Sequence, residues 1–174
     1  MTAGDREDIP EAGPGRTWSR YMEQKYSTVF RRFRRPVELK PLLATQSEIE
    51  LLKYRMVSRE GFRIHEPIVV YRGRMGSSYI VDGHTRARVR WDAGDEDIDA
   101  VVLTCRDVQV DTELEAQATR AGGGEPMHVW DVPITDRLGE GSEAWRRRRR
   151  QLKDQHGHEP GGQSSAGAET GPDK

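Results

Sequence analysis

The chain has 174 residues, 28 of them Lys or Arg and 29 Asp or Glu, for a formal net charge of −1. That is room for one domain of ordinary size, with a charge balance that by itself points to no particular partner. No run approaches the ~18 apolar residues of a membrane span, the acidic, Pro- and Gly-rich start has no signal-peptide stretch, and one cysteine, Cys105, can make neither an internal disulfide nor a cysteine metal site, so a soluble, cytoplasmic chain with no membrane partner is expected.

Val, Ile, Leu and Phe number 32, and 20 of them fall within the 69 residues 37–105. The core is expected there. Residues 1–16 and 157–174 lack periodicity and are rich in Gly, Pro, Ser and charge, which predicts disordered tails. Between the first tail and the core, Trp18, Tyr21, Met22, Val29, Phe30 and Phe33 fall on one stripe of a helix predicted over 17–35 and stopped by Pro36. Its other face carries Arg31, Arg32, Arg34 and Arg35.

Residues 37–43 read as a strand. Ser47-Glu48-Ile49-Glu50 fits a capping box, in which serine accepts from the third amide and glutamate reaches back. The helix it opens runs to Arg59, with Gly61 as its stop. Pro67–Tyr71 and Ser78–Val81 read as two strands of a hairpin joined through Gly73–Ser77. A short helix follows over 85–93, then a strand over 98–104. Beyond it, 112–120 reads as helix, 127–133 as extended, and 142–155 as a basic helix carrying Arg146, Arg147, Arg148, Arg149 and Arg150. Strands mixed with short helices predict an α+β fold. The organisation expected is an amphipathic helix over 17–36, a central domain over 37–105 and an extension over 106–156.

The most informative passage is Asp82-Gly83-His84-Thr85-Arg86. An apolar strand ends in a glycine turn and a helix starts at once, so the first unpaired amides and the positive end of the helix dipole converge on one point. Gly83 lets a ligand approach the backbone, Thr85 offers a hydroxyl, and Arg86 can hold a phosphate with two bonds. The residues alone leave a second reading open: Asp82 and Thr85 cap the helix while Arg86 pairs with a carboxylate.

The order of elements around this turn, from Val37–Gln46 through Glu66-Pro67-Ile68-Val69-Val70 and the turn itself to Gly94 and Ile98–Val102, resembles the ParB/sulfiredoxin superfamily, and within it the ParB amino-terminal, "ParB-like nuclease" domain. The resemblance covers residues 37–104. It implies a small mixed sheet with short helices, flanked here by amphipathic helices, and a nucleotide-phosphate site at Gly83, His84, Thr85 and Arg86. The ligand it implies is a nucleoside triphosphate or diphosphate (CTP, ATP or ADP) with Mg2+ as companion ion. Sulfiredoxins carry their reactive cysteine directly after this glycine, where this chain has His84; Cys105 lies at the end of a later strand, so reductase chemistry is not expected.

Two function classes follow. One is a nucleotide-responsive module acting on DNA or a protein, with the arginine clusters at 31–35 and 146–150 supplying sequence-blind backbone contacts. The other is an enzyme, a small-molecule kinase or a nucleotide or nucleic-acid hydrolase, with Asp82 as base or water-orienting group and His84 as acid or base. Gln46 stands where a kinase of this superfamily would place a carboxylate, and an amide cannot serve as base.

Overall fold

A computed structural model describes residues 15–156. The expected tails therefore lie outside the described residues, except for Gly15 and Arg16. In chain order the elements are α1 (Arg16–Tyr26), β1 (Arg31–Glu38), β2 (Ile49–Glu50), α2 (Leu51–Glu60), β3 (Ile68–Arg72), β4 (Ser78–Asp82), α3 (His84–Asp92), β5 (Asp97–Thr104), α4 (Val108–Ala121), a single 3-10 turn (Val129–Asp131), β6 (Ile134–Thr135) and α5 (Glu143–His156). The fold is α+β.

The main sheet has the order β1-β5-β3-β4. β5 and β3 run parallel, while β1 and β4 pair antiparallel on either side. Ile68, Val69, Val70 and Tyr71 are all fully buried because both faces of β3 are covered, which is why that strand reads as an unbroken apolar run rather than an alternation. On one face Val70, Ala100 and Val102 pack with Ala87 of α3 and with Val129. On the other, Val69, Tyr71 and Leu103 pack with Met22 of α1 and with Val110, Leu114 and Ala118 of α4.

Two local expectations are corrected. The helix predicted over 17–35 ends at Tyr26, with Ser27 in the left-handed region at φ 52, and Arg31–Arg35 belong to β1. Eight consecutive residues of β1 pair with β5, from Arg31 opposite Thr104 to Glu38 opposite Asp97. That ladder outweighs a helical spacing which Phe33 and Val37 satisfy equally well as alternate residues of a strand. Pro36 stops no helix. It sits inside β1, where its missing N–H is tolerated because β1 is the outer strand.

The capping box at Ser47–Glu50 does not form either. Ile49 and Glu50 pair in parallel with Ile134 and Thr135, and Glu50 stands at the N-cap of α2 with no side-chain cap. Glu48 turns instead to Arg137 Nε at 2.6 Å and to the Thr135 hydroxyl at 2.9 Å. A partner almost ninety residues away, invisible to local pattern, takes the carboxylate.

The chain divides into two compact units after Arg137. α1 and α4 thus belong to the same unit as the sheet, and the boundaries expected at 36/37 and 105/106 are not where the chain separates. In the second unit, Ser142 Oγ accepts from the Trp145 N–H at 3.1 Å and donates to the Leu138 carbonyl at 2.8 Å, capping α5. Glu143 opens that helix and Lys153 stands in its last turn, each sign matched to the helix dipole. No helix among the described residues is long and apolar enough to cross a membrane.

Candidate anion site at the Asp82–Arg86 turn

β4 ends at Asp82, α3 begins at His84, and Gly83 between them has φ +101. A Cβ at this glycine would lie 2.5 Å from Ile68 Cγ2, so the turn is pressed directly onto the start of β3. Only glycine fits both the dihedral and the contact. The first intrahelical bond runs from the Ala87 N–H to the Gly83 carbonyl, and no side chain caps the helix. Neither Asp82 nor Thr85 does the capping that one reading of the sequence allowed.

Arg86 is buried at 4% exposure and its guanidinium is already engaged. Nη1 donates to the carbonyls of Glu66 and Pro67 at 2.8 and 2.9 Å, and Nη2 donates to Asp82 Oδ2 at 3.3 Å. The Glu66 Oε2 atom lies 3.8 Å from Nη1 and is held by Arg63 at 2.6 Å. Burial pushes Arg86 below its usual range while Asp82 and Glu66 oppose that push. The role expected for Arg86, a free fork for phosphate, is thus not what the geometry provides. Arg86 ties the beginning of β3 to the beginning of α3 and fixes where the turn lies.

His84 is buried as well, at 3% exposure. Its Nε2 accepts from the Thr45 backbone N–H at 2.9 Å, while the Thr45 hydroxyl donates to the Ile80 carbonyl at 2.6 Å. Accepting at Nε2 places the ring proton on Nδ1. Burial, with a smaller contribution from the Lys53 ammonium, pushes His84 down to about 3, so the ring is neutral and structural at physiological pH. Thr45 is the residue of this site that sequence reasoning missed. It sits in a polar loop 39 residues upstream, with no spacing that marks it.

Asp82 is half exposed, with one oxygen toward Arg86. Thr85 is partly exposed on the first turn, and Gln46 is exposed beyond Thr45. The turn therefore offers backbone amides and one hydroxyl, held in place by a buried arginine below and a buried imidazole to one side.

The arginine clusters are sorted by the fold. Arg32 reaches Ser19 Oγ and Glu23 at 3.7 Å, and Arg34 pairs with Asp99 at 2.6 Å. Arg31 and Arg35 point to the opposite face of β1. In α5, Arg146 donates to the Gly141 carbonyl at 3.1 Å and Arg147 lies 3.6 Å from Glu143; Arg148 and Arg149 are half-buried and Arg150 is exposed.

No protein-family model matches the chain, and no curated protein does. Among solved structures it is similar to the crystal structure of protein Atu1540 from Agrobacterium tumefaciens, at 13% identity and a TM-score of 0.46, over 71% of this chain and 69% of that one.

Proposed function

We infer that this chain is a cytoplasmic, ParB-like module that binds the phosphates of a nucleoside triphosphate or diphosphate at the Gly83–Arg86 turn and acts on DNA or a protein in response. The observation that carries the reading is the uncapped first turn of α3 behind a glycine whose Cβ would strike Ile68. Converging amides at a helix start favour an anion, and the residues that would normally satisfy them in cis are turned elsewhere. Arg86 supports the site from below by fixing the turn. The phosphates fit this donor set. Asp82 and Glu66 both face guanidiniums, so Mg2+ would arrive held by the nucleotide's own oxygens.

The enzyme reading keeps one supporting observation, the half-exposed Asp82 carboxylate beside the turn. His84 gives it no acid or base, because its Nε2 is bonded to Thr45.

Thermal unfolding with CTP, ATP and ADP, each with and without Mg2+, tests the proposal. At least one nucleotide raises the melting temperature of the wild-type chain. Thr85→Glu places a carboxylate on the first turn, which the helix dipole tolerates or favours by about 0.3–1 kcal/mol, but which repels phosphate. The variant melts no lower than wild type without ligand and shows no nucleotide shift. A wild-type chain indifferent to all three nucleotides sinks the reading.

A further inference from the structure

The end of the sheet opposite the Gly83 turn carries a group of arginines whose guanidiniums make no ion pair among the described residues. Register places them together. Arg31 stands opposite Thr104 in β1–β5, and Tyr71 opposite Leu103 in β3–β5. Arg31, Thr104 and Arg72 thus form one row across three strands, with ~10 Å between the outer two at the usual strand spacing. The β3–β4 hairpin projects beyond that row as Gly73-Arg74-Met75-Gly76-Ser77, and the chain leaving β5 passes through Arg106. Arg74 Nη1 donates to the Arg106 carbonyl at 3.4 Å, which joins the hairpin to that segment.

Among the described residues, Arg31, Arg72, Arg74 and Arg106 have no carboxylate within ion-pair distance, whereas Arg32 and Arg34 of the same strand do. The nearby acids are used inward: Asp111 accepts from the Tyr71 hydroxyl and the Arg74 N–H, and Asp107 accepts from the Gln109 N–H. Partial burial, and to a lesser degree the neighbouring Arg35, push Arg72 below its usual range. At the hairpin tip stands Met75 at 95% exposure.

An apolar side chain exposed at a hairpin tip, at the same end of the sheet as these arginines, suits one kind of surface. Phosphodiester backbones take the guanidiniums as charge-assisted, two-bonded partners. Proteins that enter the minor groove commonly place Met or another apolar wedge against the base steps between such contacts. Gly73 and Gly76 flank the tip with no side chains to widen it. An acidic protein would satisfy the arginines but gives the isolated Met75 no cavity to fill.

We propose that this end of the sheet is a contact surface for duplex DNA, in which Arg31, Arg72, Arg74 and Arg106 hold phosphates and Met75 at the hairpin tip enters the minor groove. The proposal rests on the partner half of the function inferred above and names DNA and the surface that meets it. It does not depend on nucleotide binding, which occurs at the other end of the sheet.

The test is fluorescence anisotropy of a labelled A·T-rich duplex with the full chain over a range of salt. Wild type binds, with log K falling linearly against log salt. Arg31→Gln with Arg72→Gln, both exposed and without ion pairs, leaves the melting temperature and any nucleotide shift unchanged and makes the salt slope shallower by about two, near 0.9 for each phosphate no longer neutralised. Met75→Ala keeps the slope and loses several-fold in affinity, and a minor-groove drug competes with wild type. Three results overturn the proposal: binding no tighter than that of a neutral control protein, a slope unchanged in the double variant, or equal affinity for polyglutamate, which marks an acidic-protein surface instead. A nucleotide shift that persists while DNA binding fails separates this proposal from the nucleotide reading.

Discussion

The Nε2 atom of His84 accepts a hydrogen bond from the backbone N–H of Thr45 at 2.9 Å, across 39 residues of sequence. The bond joins the first residue of α3 to the loop ahead of β2, and with the Thr45–Ile80 bond it closes a circuit through β4. A protonated ring has no lone pair for the Thr45 amide, so protonation breaks the circuit. In the unfolded chain a histidine takes its proton near pH 6.5, whereas burial holds native His84 neutral until about 3. The unfolded state therefore binds more protons in this interval. The contribution of His84 to stability is complete above pH ~6.5 and falls with decreasing pH, by up to about 1.4 kcal/mol per unit. Urea titrations at pH 7.5, 6 and 5 read this slope. His84→Gln costs stability at pH 7.5 and flattens the loss between 6.5 and 5; an unchanged slope would show that other groups set the pH dependence.

Arg86→Ala unfolds the site before it affects any ligand. The substitution removes the donors for two buried carbonyls and the partner of Asp82, and it leaves Glu66 with Arg63 alone. Breaking a buried charged cluster of this kind costs on the order of 3–5 kcal/mol. Arg86→Lys recovers only part, because one ammonium cannot span the two carbonyls and Asp82 as the planar fork does. Chemical denaturation measures both. An Arg86→Ala chain as stable as wild type contradicts the clamp between β3 and α3.

Gly83→Ala tests the turn by shape alone. At φ +101 an alanine is strained by about 1–3 kcal/mol, and its Cβ must also push Ile68 away from 2.5 Å. The variant is destabilised by more than the dihedral strain alone, while Gly94→Ala, at φ +88 with nothing within 4 Å of the added Cβ, shows the strain without the clash. Equal losses at the two positions would mean that the Ile68 contact is relieved at no cost.

The contrast between these residues shows what was legible in the sequence. The hairpin, α2, α3, β5 and α4 were readable because apolar runs and glycine stops are local signals, and the Asp82–Arg86 turn stood out because a strand, a glycine and a helix follow one another without a gap. What escaped was non-local. β1 took its identity from β5, some 65 residues later, so a stretch with acceptable helical spacing became an outer strand. Glu48 matched a capping box but is held by Arg137. The same limit hid the bonds inside the turn. Nothing near Arg86 announces that its guanidinium belongs to the carbonyls of Glu66 and Pro67, and nothing near His84 announces Thr45. The four arginines at 31–35 read as one cluster, yet strand alternation sends Arg32 and Arg34 to partners on one face and Arg31 and Arg35 to the other.

Asp82→Asn separates binding from catalysis at the turn. Its carboxylate is half exposed but pairs at 3.3 Å with a guanidinium that is itself buried, so loss of the charge lowers apo stability as well, though by less than loss of Arg86 with its two carbonyl bonds. The same carboxylate stands one residue before the helix N-cap, where its negative charge opposes an incoming phosphate. In a binding module, replacing it with the neutral amide removes that repulsion and strengthens nucleotide binding a few-fold, with a shallower salt dependence. In an enzyme that uses Asp82 as base, the variant keeps or gains nucleotide affinity and loses turnover altogether. Isothermal titration measures the first quantity, and release of inorganic phosphate or of a phosphorylated product measures the second. The outcome expected is tighter binding with no turnover in either protein, because His84 is locked to Thr45 and the Glu66 carboxylate is held by Arg63 and Arg86. Turnover by wild type that disappears in Asp82→Asn would replace the module with the enzyme.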